Sequence, residues 1–457
     1  MLALCLCGAT VHAQSETPAT AAPDVAALEQ RLAAQEARLQ QQEARLQQQE
    51  SRLQRQEARE PLFGFGNDGF SVSARFFSIR LRALIQADAR DYFDTAATPL
   101  PAQFLLRRVR PIVEGTVGDV VDFKIVPDFG QGSAILYDAY VDLRPYRWIA
   151  LRIGKFKTPF GLERLQNDAN MAFNERGLPS DLVPDRDIGA SLHGDLANGT
   201  FVWELGIFDG ALDNNSANQD GDTNDGKDLI ARVFSHPFRV LRRAAVENLG
   251  FGVAASWGKQ HGSAALPGVG GYKSTGQNTF FSYLFDAGAV KPTVIAIGDR
   301  YRVSPQLYWY VGPVGLLAEY VYDATTVSNF LSGAEPRKAL VHQAWQTELQ
   351  VVLTGERAGF NGVKPKHPFN PRRLYFGALE LAARYGQLRL DPATFPSYAD
   401  PTRSANAALE WGVGFNWYLL APVKIAVDFE RTTFHGGAGN GDRRPENALL
   451  ARAQLSF

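Results

Sequence analysis

The chain has 457 residues, with 47 basic and 48 acidic side chains and a formal net charge of -1. So even a balance points neither to nucleic acid nor to a polycationic partner. No run of 18 apolar residues occurs, which excludes a bundle of membrane-spanning helices. Gly (42), Phe (29) and Tyr (15) are plentiful and Met (2) is scarce, a composition of twisted sheets rather than of helical cores.

The first residues, Leu2 to Ala9 followed by Val11-His12-Ala13, form an apolar stretch ending in a small-x-small cleavage pattern. They read as a signal peptide over 1–13, although the usual basic start is missing; the alternative is a short buried helix. Cleavage after Ala13 would remove Cys5 and Cys7, the only cysteines, and an exported chain without thiols needs no disulfide chemistry. Residues 14–23 are a small-residue linker.

An internal repeat fills 24–60: RLAAQEA from Arg31, RLQQQEA from Arg38, RLQQQES from Arg45 and RLQRQEA from Arg52. Leu32, Leu39, Leu46 and Leu53 recur every seven residues, with Gln35, Gln42, Gln49 and Gln56 at the other core position. A strict seven-residue period predicts a left-handed α-helical coiled coil with partner helices, since one helix alone exposes the leucine seam. The polar second layer suits three strands, so a homotrimer is expected; a solvated single helix is the alternative. Pro61 ends the helix, and 61–75 reads as a Gly-rich linker.

From residue 76 to 457 the period is two. Ile79, Leu81, Ala83, Ile85, Ala87 and Ala89 are apolar, while Arg80, Arg82, Gln86, Asp88 and Arg90 alternate with them. The same dyad returns in Ala408–Glu430 and in Leu449–Phe457. Such alternation places one face in an apolar medium and the other in a wet one. A soluble sandwich shares the pattern, but here the strands are long enough for tilted membrane crossing, short and long connections alternate, and the chain ends on a strand-terminal aromatic, Phe457.

Sixteen strands are expected, at 76–93, 103–117, 121–128, 134–143, 147–154, 187–195, 199–209, 227–236, 249–259, 300–310, 314–324, 340–353, 373–390, 404–419, 423–435 and 446–457. An all-β, 16-stranded antiparallel transmembrane β-barrel closes every sheet edge in lipid and leaves an aqueous lumen. The placement this implies is the bacterial outer membrane, with outer-membrane lipid around the barrel and the coiled coil in the periplasm. Within 260–299 the run Val294–Ile297 reads either as a further strand or as part of an inward loop.

Selectivity is set at the narrowest point of a pore. The connection 155–186 carries Phe156, Phe160, Leu162, Leu165, Met171, Phe173 and Leu178 among its charges, so it should pack against something. Folding into the barrel places Lys157, Arg164 and Arg176 in the channel; capping the barrel or covering a subunit contact are the alternatives. By strand parity the lining is mixed: Arg80, Arg82, Arg108, Arg110, Lys124, Arg152, Arg384 and Lys424 against Asp88, Glu114, Asp122, Asp128, Asp138, Asp142, Glu348, Glu380, Asp428 and Glu430. Focusing of anions needs an excess of one sign, and parity alone gives none.

Several short segments together resemble one known family. They are Arg107-Arg108, Tyr137-Asp138-Ala139, Gly154-Lys155-Phe156, Phe160-Gly161-Leu162-Glu163, Glu175-Arg176, Leu353-Thr354-Gly355-Glu356 and Asn416-Trp417-Tyr418. From about Arg75 to Phe457 the chain is similar to the phosphate- and polyphosphate-selective porins (porin O and P). The resemblance implies a homotrimer of sixteen-stranded barrels, an inward third loop, and a path for small anionic solutes such as phosphate or polyphosphate. It places Arg107 and Arg108 on the barrel wall, Arg164 where the family carries a constriction lysine, Arg176 on the anion path and Asp138 beside it, with Lys338 as a further constriction cation. Strict alternation sends only one of Arg107 and Arg108 inward. The chain also lacks the family's string of alternating arginines in 260–299; across and beside that stretch it has only Lys259, Lys273, Lys291, Arg300 and Arg302.

Other motifs carry little. Gly64-Phe-Gly66-Asn-Asp-Gly69 precedes a strand, the reverse of a dinucleotide site. Asp220 to Asp228 resembles a calcium loop with its glycine displaced. The seven His show no metal spacing, so no metal, cofactor or nucleic-acid partner is expected. No nucleophile–base pair can be named, and the reading is a channel rather than an enzyme. A second reading is an envelope-tethering or adhesive barrel whose coiled-coil stalk does the work.

Overall fold

The computed structural model describes residues 25–57, 62–66, 69–93, 101–213, 226–286, 293–329 and 337–457. The signal-peptide and first-linker readings over 1–23 lie outside these residues, as does most of the calcium-like run 220–228. The chain divides into two units, residues 1–61 and 62–457.

In the first unit one helix, α1 (Val25–Glu57), carries the heptad repeat. Leu32, Leu39 and Leu46 are each close to 58 % exposed, as a leucine seam without a partner must be.

The second unit contains sixteen antiparallel barrel strands: β1 (Phe77–Phe93), β2 (Gln103–Val117), β3 (Val121–Asp128), β4 (Ile135–Tyr146), β5 (Ile149–Lys157), β6 (Arg186–Leu196), β7 (Phe201–Phe208), β8 (Asp228–Ser235), β9 (Leu249–His261), β10 (Val294–Val311), β11 (Val314–Asn329), β12 (Lys338–Val352), β13 (Ala378–Arg389), β14 (Ala405–Leu420), β15 (Val423–Ala438) and β16 (Glu446–Ser456). Each pairs with the next, and β16 closes on β1 from Asn447↔Phe93 to Ser456↔Leu84. All sixteen expected strands are present. The run Val294–Ile297 opens β10, so it belongs to the wall, and β13 begins at Ala378 rather than 373.

The outward positions are apolar and exposed, among them Leu81, Ile85, Ile125, Val413 and Phe415, whereas inward charges such as Arg108, Arg384 and Glu430 are buried. This inverts a soluble protein and suits lipid outside a polar interior. Short turns at one rim use left-handed backbone: Gly118 (φ 60°) and Asp119 (φ 63°) join β2 to β3, matching the twist of the hairpin.

Two stretches depart from expectation. The Gly-rich linker contains a β-hairpin, Leu62–Gly66 with Gly69–Ala74, whose second strand pairs with Phe77–Leu81 of β1. β16 reaches only the upper part of β1, and Phe457 continues the seam by exchanging backbone hydrogen bonds with Ala83 (2.9 and 3.1 Å). The hairpin then covers the remaining edge, which would otherwise leave backbone groups unpaired. At the short-turn rim the long connection 353–377 folds inward, where Phe360 stacks on Tyr308 at 5.2 Å.

Candidate pore constriction

The connection between β5 and β6, residues 158–185, crosses the barrel interior, and only Asn167 in it is exposed. Its apolar residues drive it inward: Phe160, Leu162, Met171, Phe173, Leu178 and Leu182 are all nearly fully buried. Phe160, Leu178 and Leu182 share a core with Tyr272, Phe280 and Phe281 of a second inward segment, 262–286. The lumen is therefore packed at mid-height rather than widely open.

A buried loop must satisfy its backbone groups. Wall carboxylates accept from its amides: Glu319 from Leu162 (2.7 Å), Glu410 from Leu178 (3.1 Å) and Asp428 from Asn174 (2.5 Å). Wall cations donate to its carbonyls: Lys424 to Met171 (2.8 Å), Arg452 to Asn174 (2.6 Å) and Arg384 to Glu175 (2.9 Å). The mixed lining is thus sorted by position. Carboxylates of β11–β15, with Arg384 and Lys424 among them, hold the loop from one side, and arginines of β1, β2, β6 and β16, with Asp88 and Asp138 among them, face it from the other.

On the arginine side the loop presents three carboxylates. Glu175 accepts two bonds from Arg107 (2.6 and 2.9 Å), with Arg90 (2.8 Å) and Arg452 (3.1 Å) beside them. Asp168 accepts from Arg176 (2.5 Å) and from Arg110, with Arg108 at 3.4 Å. Asp185 pairs with Arg186 (2.9 Å). Burial raises the Asp168 carboxyl, but Arg108, Arg176 and Arg110 outweigh it and hold it well below the usual carboxylate range. Glu175 is depressed in the same way, burial being overcome by Arg107, then Arg90 and Arg452. For Asp185 burial is overcome by Arg186 and Arg164.

Two β-bulges build this cluster. The register passes from Gln86↔Arg108 to Ala87↔Leu106, leaving Arg107 unpaired as the extra residue. Arg107 and Arg108 therefore both reach the loop, which corrects the expectation from strict alternation. A second bulge, between Val126↔Asp138 and Pro127↔Leu136, does the same for Tyr137 and Asp138. The Tyr137 ring lies between the guanidinium groups of Arg110 (3.7 Å) and Arg186 (3.6 Å), and Asp138 accepts from Arg186 (2.8 Å).

The remaining expected residues have other places. Lys157 donates to the carbonyls of Arg164 and Gln166 (both 2.7 Å), and Arg164 donates to that of Ser180 (2.7 Å); both staple the loop's own fold. Lys338 stands exposed at the start of β12, at the long-connection rim. Arg80, Arg82 and Lys124 surround Glu114 at 3.5–3.9 Å, and a vestibule of about 400 Å³ on the short-turn side is lined by Arg80, Glu114, Lys124, Asp142 and Arg152. Arg300 and Arg302 are fully buried against Asp228 (2.6 and 3.2 Å), away from the cluster, Lys259 faces outward, and Lys291 lies outside the described residues. Sequence reasoning missed Asp168, Asp185 and Arg186 as members of the site. It had Arg90 and Arg452 on the wet face but no reason to bring them to Glu175.

Over residues 77–457 the chain matches the family described as phosphate-selective porin O and P. The chain belongs to that family. Its members are porins, so the barrel is an outer-membrane channel. An uncharacterized protein of Caulobacter vibrioides is 22 % identical over 365 residues, covering 77 % of this chain and 68 % of that protein. The fold is similar to that of the outer-membrane channel DcaP of Acinetobacter baumannii (TM-score 0.53, 13 % identity, 85 % of this chain and 99 % of that one). It is also similar to an anion-selective porin from Comamonas acidovorans (0.50, 10 %, 83 % and 100 %) and to Salmonella typhi OmpF (0.50, 11 %, 87 % and 100 %).

Proposed function

We propose that this porin is a narrow passive channel for small anions, with phosphate-type oxyanions the best fit, and that solutes follow the arginine side of the constriction. One observation carries the reading: the bulge at Arg107 turns two consecutive guanidinium groups toward a loop already faced by Arg90, Arg110, Arg186 and Arg452. Planar guanidinium groups match the oxygens of phosphate in bidentate pairs. Three carboxylates of the opposite wall, Glu319, Glu410 and Asp428, are engaged by loop amides, which weakens that wall's pull on approaching cations. Arg80, Arg82 and Lys124 act as collectors in the vestibule.

The mature chain self-associates through α1 as a trimer in the periplasm, the exposed leucine seam being its contact. Reversal potentials in planar bilayers under asymmetric potassium chloride test the selectivity. Anion preference, with phosphate reducing chloride current, is expected; cation preference would overturn the proposal.

A further inference from the structure

A loop of about two residues is enough to join antiparallel neighbours. β12 and β13 are instead joined by the long connection 353–377, which enters the lumen from the short-turn rim. Its base is fixed where the Ala358 amide donates to the Gly312 carbonyl (2.9 Å) of the β10–β11 turn. Its tip, Phe360 and Asn361, is a tight turn closed by the Gly362 amide on the Gly359 carbonyl (2.9 Å). Phe360 stacks on Tyr308 and packs against Leu162, Phe234 and Leu317, of which Leu162 belongs to the constriction loop.

The tip meets that loop at one short segment, Gln166 to Asn170. The Gln166 side chain, nearly fully buried, donates to the Phe360 carbonyl (2.8 Å). Gly362 lies so close to Asn170 that a Cβ on it would stand 3.1–3.4 Å from the Asn170 side chain. The same segment carries Asp168, whose carboxylate faces Arg108, Arg110 and Arg176. On the wall side Gln86 donates to the Asp168 carbonyl (3.1 Å) and Gln454 to that of Ala169 (2.9 Å). The segment is therefore held between the arginine-bearing wall and the tip. Hydrogen bonds to the wall resist its withdrawal, and the tip fills the space into which it would withdraw.

We propose that the tip of the connection 353–377 is a positioning element of the constriction. Phe360 and Gly362 fix Gln166–Asn170, and through it Asp168, against the arginines, and so set both the width and the charge balance of the path. This rests on the reading of the arginine side as the route of the ions. Neither Gln166 nor Phe360 carries a charge, so a change of selectivity on altering them acts through position.

The test uses the full chain in planar bilayers. Its readouts are the reversal potential in asymmetric potassium chloride and the exclusion of neutral polyethylene glycols, with heat-modifiable mobility as the check on folding. Phe360→Ala empties the seat below the segment, and Gln166→Leu removes the donation at similar volume. Both should admit larger polymers and shift the potential toward anions, as Asp168 backs away from Arg108 and Arg110. Combined, they should add little to Phe360→Ala alone, since both act through one contact. A Cβ on Gly362 would stand 3.4 Å from that of Asn170, close to the roughly 3.5–4.5 Å of a disulfide. Asn170→Cys/Gly362→Cys, in a chain carrying Cys5→Ala and Cys7→Ala, should therefore oxidise and conduct like the wild type. It should also return Phe360→Ala to the wild-type potential until dithiothreitol is added. Gly362 has φ 81°, and Gly362→Cys alone controls for the strain of a side chain there. An unchanged potential and polymer limit in folded Phe360→Ala and Gln166→Leu overturns the proposal, as does a cysteine pair that stays reduced. Wider pores with an unmoved potential overturn the link to Asp168. Should Phe360→Ala fail to assemble, Gln166→Leu decides. The wild-type potential tests the anion reading, whereas the differences between variants test the tip, so the two fail separately.

Discussion

Glu175→Gln separates electrostatics from architecture at the constriction. The amide keeps the shape of the side chain and removes one negative charge from beside Arg90, Arg107 and Arg452. Arg90 and Arg452 retain Asp88 (3.3 and 2.7 Å), whereas Arg107 retains no acidic partner among the described residues. A unit charge about 8 Å from an ion's path contributes roughly 0.5–2 kcal/mol as the effective dielectric falls from that of water to about 20. That corresponds to roughly a two- to thirtyfold rise in local anion occupancy. Breaking a buried ion pair also weakens loop anchoring, by about 3–5 kcal/mol. A looser loop raises conductance for both ions, so reversal potential is the decisive readout, with heat-modifiable gel mobility reporting that the barrel is intact. The potential should shift toward anions. An intact barrel whose potential stays still or shifts toward cations would refute the reasoning.

Four further outcomes follow from the same structure. Deleting residues 24–60 should abolish trimers in chemical cross-linking and leave single-channel conductance unchanged; non-conducting barrels would instead favour a tether. Deleting Phe457 leaves the Ala83 amide and carbonyl unpaired at the closing seam, so the yield of heat-modifiable barrel should fall several-fold. The Asp168, Glu175 and Asp185 carboxyls are depressed in the folded protein, so their anchoring of the loop is complete above the ordinary carboxylate range, about pH 4, and is lost only as pH falls through their lower folded values. The side-chain carboxyl carbon-13 shifts of these three residues should accordingly stay at their ionised values from pH 7 down to about pH 4. Deleting Arg107 removes the bulge while keeping the flanking pairs in register, and should shift the reversal potential toward cations, opposite in sign to Glu175→Gln.

Much of the barrel was legible because lipid and water impose a period of two that no soluble core sustains for so long. Ile79 to Arg90 displays it, and all sixteen strands were placed from that rule with connection parity. The inward turn of 158–185 was legible too, since Phe160, Leu162 and Phe173 have no other apolar surface to reach. What escaped the sequence was local. A bulge is one residue inserted without a compositional mark, so Arg107 and Tyr137 read as ordinary members of alternating strands. The hairpin at Leu62–Ala74 was hidden by its glycines, because its reason to form lies in the unpaired edge of β1 and not in its own residues. The carboxylates of the loop were invisible as partners, since pairing Glu175 with Arg452 requires the closure of β16 on β1.

The lining looked unselective because every inward charge was given equal weight. In the folded protein a carboxylate that accepts a loop amide, as Glu319 and Glu410 do, is engaged by donors fixed in the protein and presents less of its field to a passing ion. The guanidinium of Arg107 has five donors, and Glu175 takes two of them. Charge count and charge availability therefore diverge: Glu319, Glu410 and Asp428 each spend one carboxylate oxygen or more on loop amides, while the Nε donors of Arg90 and Arg108 on β1 and β2 have no hydrogen-bond partner among the described residues. A net-neutral interior can in this way favour one sign of ion, provided the solute passes close to the wall whose groups are not used up in holding the loop.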